Sequence, residues 1–80
     1  MIINLSDSDK ICCNVSGKVL TIKMHQIIRC CVYEIFNLSG KSIEKGNIDN
    51  EIQLYIKEVG KYFVVIQNSF LYSVKIFEIE

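Results

Sequence analysis

Polar clusters cut the chain into short apolar segments. Most of these alternate apolar and polar positions with the period of two that marks a half-buried β-strand. The cuts fall at Ser6-Asp7-Ser8-Asp9, Ser16-Gly17-Lys18, Ser39-Gly40-Lys41, Gly46-Asn47 with Asp49-Asn50, Gly60, and Asn68-Ser69. They recur about every 8–12 residues, the spacing of turns in a sandwich or barrel. Residues 11–15 place Ile11, Cys13 and Val15 on one face. Val19–Met24 places Leu20, Ile22 and Met24 on one face, with Thr21 and Lys23 opposite. Residues 27–36 form the longest segment, with Cys31, Tyr33 and Ile35 on one side and Cys30, Val32 and Phe36 on the other. A strand apolar on both faces belongs at the centre of a sheet.

Residues 42–46 are short and polar, as an edge strand should be. Glu51–Tyr55 turns Ile52 and Leu54 inward, and residues 62–66 do the same with Tyr62, Val64 and Ile66. Residues 1–5 read as a first strand or as part of a frayed arm over residues 1–10. Residues 71–79 are apolar on both faces, so this last strand is expected to be central or to lie at an interface. If its edge is exposed, it offers a route to a homodimer. Helical spacing at Ile52, Tyr55, Ile56 and Val59 competes with the strand pattern, but the stretch is too short to hold a helix and Gly60 ends it.

Composition supports strands. The chain has 80 residues, enough for a single domain spanning residues 1–80, and 50% of them are hydrophobic. Isoleucine dominates, Val, Tyr and Phe support it, and alanine is absent. β-Branched and aromatic side chains fit a pleated surface. The expected fold is therefore all-β, a sandwich of about seven short antiparallel strands.

Charge narrows the partners. Nine basic and nine acidic residues cancel, and the basic ones are scattered singly with no stripe to track a phosphate backbone. Nucleic acid is therefore not an expected partner. No apolar run approaches the roughly 20 residues that span a bilayer as a helix. The first five residues, Met1-Ile2-Ile3-Asn4-Leu5, are too short and uncharged for a signal peptide. The chain is expected to be exported to the periplasm or cell surface if it is a segment of a longer precursor, and otherwise cytoplasmic.

Reactive side chains are few. The four cysteines form two vicinal pairs, Cys12-Cys13 and Cys30-Cys31. One of each pair should face the core and the other solvent. They read as small buried hydrophobes, as a disulfide between two strands, or as a zinc site, for which the vicinal spacing is poor. His25 is the sole histidine and sits in a Met-His-Gln turn, where a solvated ring is expected. Cys–His catalysis would need a thiol activated by His25, yet the cysteines lie in mid-strand apolar runs. Asp7, Asp9, Asp49 and Glu51 lie near turns, and Asp7-Ser8-Asp9 lacks the further ligands and glycine of a calcium loop. Ser39-Gly40-Lys41 lacks the upstream glycine and following helix of a phosphate loop and reads as a hairpin turn. No nucleophile–base pair or metal set can be assembled, so the expectation is a non-enzymatic domain with no cofactor. Gly40 is expected to take an unusual backbone angle after the long strand. Tyr62 should bury its ring and place its hydroxyl on a backbone group.

Four blocks in order carry a family resemblance: Gly17-Lys18-Val19-Leu20-Thr21-Ile22; Val32-Tyr33-Glu34-Ile35-Phe36-Asn37-Leu38-Ser39-Gly40-Lys41; Ile52-Gln53-Leu54 with Val59-Gly60-Lys61-Tyr62-Phe63-Val64-Val65-Ile66; and Val74-Lys75-Ile76. Together they resemble the C-terminal type A sorting domain of the type IX secretion system of Bacteroidota. The positions that match are Gly17, Leu20, Ile22, Ile35, Asn37, Gly40, Lys41, Leu54, Gly60, Tyr62, Val64 and Lys75. The same skeleton is similar to that of small secreted immunoglobulin-like proteins of gut Bacteroidota. The first resemblance implies an immunoglobulin-like sandwich that secretion machinery reads as a signal and usually removes at the cell surface. The second implies a stand-alone structural or binding module for a protein or glycan.

Overall fold

A computed structural model describes residues 2–6, 11–24, 31–69 and 72–80, the first of these segments by its backbone only. They form eight strands: β1 (Ile2–Ser6), β2 (Ile11–Ser16), β3 (Val19–Met24), β4 (Cys31–Asn37), β5 (Ser42–Ile48), β6 (Glu51–Tyr55), β7 (Gly60–Gln67) and β8 (Tyr72–Ile79). The large sheet has five strands in the order β1-β8-β7-β4-β5, and the small sheet has three in the order β2-β3-β6. All neighbours pair antiparallel. The chain changes sheet between β1 and β2, β3 and β4, β5 and β6, and β6 and β7.

The alternation written in the sequence is the alternation that folds. Leu20, Ile22 and Met24 of β3, Cys31, Tyr33 and Ile35 of β4, and Tyr62, Val64 and Ile66 of β7 are all buried between the sheets. Ile11, Ile48, Leu54, Ile56, Phe77 and Ile79 complete the core, with Cys13, Val15 and Ile52 packed against it. Each fully buried large aliphatic or aromatic side chain contributes roughly 1.5–3 kcal/mol. The phenol of Tyr62 stacks on Phe77, with ring centroids 5.4 Å apart and planes 19° apart.

The edges follow the polarity of the strands. Polar β5 is an edge of the large sheet, and β4 is central between β5 and β7. The last strand, β8, lies between β7 and β1, so it is central and offers no free edge for a homodimer. Its neighbour β1 is a paired strand, with Ile2 opposite Phe77 and Asn4 opposite Lys75. The stretch with helical spacing is strand β6 followed by a corner, because pairing with β3 from Val19–Tyr55 to Lys23–Glu51 fixes it in the small sheet. His25, Cys30 and Asp7-Ser8-Asp9 lie outside the described residues.

Candidate functional site at the open flank

The β4–β5 hairpin is built by Asn37. Its side-chain Oδ1 accepts hydrogen bonds from Ser39 N (3.1 Å), Ser39 Oγ (2.7 Å) and Lys41 N (3.0 Å). Its backbone N donates to Lys41 O (3.0 Å), and Gly40 N donates to Asn37 O (2.9 Å). Gly40 takes φ +88°, as the last position of such a three-residue loop requires. One asparagine thus fixes where β5 starts and how it is presented.

The β6–β7 corner is built by Tyr62. Its hydroxyl donates to Glu58 O at 2.7 Å, four residues back along the chain. Gly60 enters β7 at φ +142°, a conformation few other residues accept. The end of β6 is pinned from the opposite side. Ile56 N donates to Lys18 O at 2.8 Å, and Lys18 Nζ donates to Lys57 O at 2.9 Å.

Hairpin and corner meet at one flank of the sandwich, where the edges of both sheets lie. Between them runs an open groove of about 370 Å³, lined by Ile43 and Glu44 of β5 and by Tyr55, Lys57, Glu58 and Tyr62 of the corner, with Asn37 and Lys41 at its hairpin end. Tyr55 is 62% exposed and Ile43 41% exposed, so two apolar side chains face solvent in a setting of two lysines and two glutamates. Burial, with Glu44 adding to it, pushes the Tyr33 phenol above its ordinary pKa. A phenol that stays protonated can donate a hydrogen bond but does not act as a base.

Of the sequence-flagged positions, the groove gathers Asn37, Lys41 and Tyr62. Leu20, Ile22, Ile35, Leu54 and Val64 are core. Gly17, with φ +59°, sits in the β2–β3 turn. Lys75 does not join the groove; it is buried on the inner face of β8, near the other buried polar residue of that face, Ser73. The sequence reading missed Ile43, Glu44, Tyr55, Lys57 and Glu58. The available signal was Tyr55, an aromatic on the outward phase of a strand whose inward phase is Ile52 and Leu54.

The first cysteine pair divides by face as expected, and of the second pair only Cys31 is among the described residues. Cys12 is exposed, Cys13 half-buried and Cys31 buried. Cys12 and Cys13 are unbridged thiols, so no disulfide links this pair to β4. Burial pushes the Cys13 thiol up to about 11, against the opposing pull of the Lys75 ammonium. A thiol held neutral in this way is a poor nucleophile. Among the described residues no three His, Cys, Asp or Glu side chains gather to hold a metal ion. Among them, too, no helix is long and apolar enough to cross a membrane.

No protein-family model matches the sequence, and no curated protein matches it. A solved structure does: a DUF3244-family protein with an immunoglobulin-like β-sandwich fold from Bacteroides vulgatus ATCC 8482. It superposes with a TM-score of 0.82 at 18% identity, over 100% of this chain and 95% of that one. The chain is an immunoglobulin-like β-sandwich. The Tyr62–Glu58 bond is the tyrosine corner that closes such sandwiches where the chain enters the strand after a sheet crossing. Identity at this level carries the fold and leaves function to the site.

Proposed function

We propose that this domain is a non-enzymatic protein-binding module that captures an extended segment of its partner along the free edge of β5. The observation that carries this reading is the coincidence of a strand edge left unpaired among the described residues with the groove beside it. An edge strand presents a row of backbone N–H and C=O groups that a second strand can satisfy. Side chains of that second strand would alternate, and those on one phase would enter the groove against Tyr55 and Ile43. The lysines and glutamates at the rim would select polar neighbours.

Sorting by a secretion apparatus is the finer reading that the four sequence blocks suggest, and it would use the same surface. The blocks themselves have structural explanations: Gly40 and Asn37 shape the hairpin, and Gly60 and Tyr62 shape the corner. They support the fold whether or not a secretion receptor reads it.

The test is selection of a displayed random-peptide library on the immobilised domain. Binders are expected to lose affinity at least tenfold against Ile43→Lys and Tyr55→Ala variants. Binders indifferent to both substitutions would contradict the reading.

A further inference from the structure

Edge strand β5 carries two adjacent charges of opposite sign on opposite faces. In its register with β4, Glu44 stands opposite Ile35 and Lys45 opposite Glu34. Ile35 is buried, so Glu44 takes the inward phase of β5 and Lys45 the outward one. Both side chains are exposed, and neither makes an ion pair among the described residues. Each borders a different depression. Glu44 lines the groove of about 370 Å³ that holds Tyr55. Lys45 lines a shallower one of about 260 Å³ on the outer face, with Glu34, Asn47 and Gln67. A charge on the inward phase of an edge strand guards that edge against indiscriminate pairing. An incoming strand that sets an acidic side chain opposite Glu44 is destabilised, and one that sets a cation there is stabilised.

We infer that the segment captured at β5 is an antiparallel strand with an acidic residue followed directly by a basic one: Asp or Glu opposite Lys45, then Lys or Arg opposite Glu44. The inference rests on the strand-capture reading above and gives the captured segment a sequence. Neighbouring residues of an incoming strand point to opposite faces. Its basic side chain therefore enters the groove beside Glu44, and its acidic one lies on the outer face beside Lys45. An antiparallel partner runs from Lys45 toward Glu44, which sets the order acidic then basic. A parallel partner would need the reverse order. All strand pairs among the described residues are antiparallel, and antiparallel ladders are the more stable per residue. A second copy of β5 does not supply this segment. Paired antiparallel about a two-fold axis at Glu44 or at Lys45, that residue would face its own copy and set like charges opposite each other.

The experiment is parallel selection of a random-peptide library on the full chain as wild type and as the charge-swapped double variant Glu44→Lys with Lys45→Glu. Wild type is expected to enrich acidic–basic dipeptides, and the swapped chain basic–acidic ones. A wild-type binder should lose affinity about tenfold on the swapped chain and recover it when its own dipeptide is reversed. Glu44→Gln, a near-isosteric change at an exposed position, guards against misfolding of the double variant; it should abolish enrichment at the basic position and keep it at the acidic one. Binders that weaken against Ile43→Lys and Tyr55→Ala yet show no charge order, or the basic–acidic order on wild type, overturn the inference and leave strand capture standing. A selection that yields no binder sensitive to those two groove variants overturns both.

Discussion

The ring of Tyr33 lies across Gly46, its cross-strand partner on β5, where a side chain would otherwise stand. A Cβ at Gly46 would sit 3.0 Å from the Tyr33 hydroxyl and 3.1 Å from Cε1. The edge strand is therefore held by an aromatic ring reaching out from a central strand. Gly46→Val is expected to destabilise the domain by about 1–3 kcal/mol through overpacking. Chemical denaturation of the single and double variants measures it. In a Tyr33→Ala background the added loss should shrink, because the ring it collides with is gone.

Tyr62 separates two contributions that one substitution would confuse. Tyr62→Phe removes only the hydroxyl that donates to Glu58 O at 2.7 Å and keeps the stack on Phe77. Its expected loss is about 0.5–1.5 kcal/mol. Tyr62→Ala removes the ring as well and should lose about 3–5 kcal/mol. Urea midpoints for the pair decide it, and equal losses would mean that the ring contributes nothing to the corner.

Ser73 is the reverse case. Its hydroxyl is buried on the inner face of β8 with no hydrogen-bond partner among the described residues. An unsatisfied buried hydroxyl costs about 1–3 kcal/mol in proteins. Ser73→Ala is therefore expected to raise the melting temperature, with a gain of roughly 1 kcal/mol. A lower melting temperature would show that the hydroxyl has a partner in solution.

Cys13 makes stability depend on alkaline pH. Its thiol is raised from the ordinary 9.0 to about 11 in the folded chain, chiefly by burial. The unfolded chain loses this proton first, so it binds fewer protons than the folded chain between those values. Stability is then whole below about pH 9 and falls as pH rises toward 11, by on the order of 2 kcal/mol. Denaturation midpoints measured from pH 8 to 11 should show this slope, and Cys13→Ala should flatten it. At neutral pH, exposed Cys12 is expected to alkylate well before Cys13, with mass spectrometry as the readout.

The sequence made the strands legible because a period of two with isoleucine on one phase leaves few alternatives. The hairpin glycine and the corner tyrosine were legible for the same local reason, since each is set by a few neighbouring residues. The groove was not. Ile43, Tyr55 and Lys57 come from both sides of a sheet crossing, and only the pairing order brings their strands to the same flank. The burial of Lys75 and Ser73 was also hidden. Their strand is apolar on both phases, so its pattern does not say which phase faces inward, and pairing with β7 decides that the phase carrying Ser73 and Lys75 goes in.

Strand capture at β5 is tested most directly by amide hydrogen exchange of the domain with a selected peptide bound. Within Ser42–Ile48, the amides that β4 does not pair are expected to slow at least tenfold while those of β2 stay unchanged. Unchanged exchange throughout β5, at saturating peptide, would contradict the edge as the binding surface.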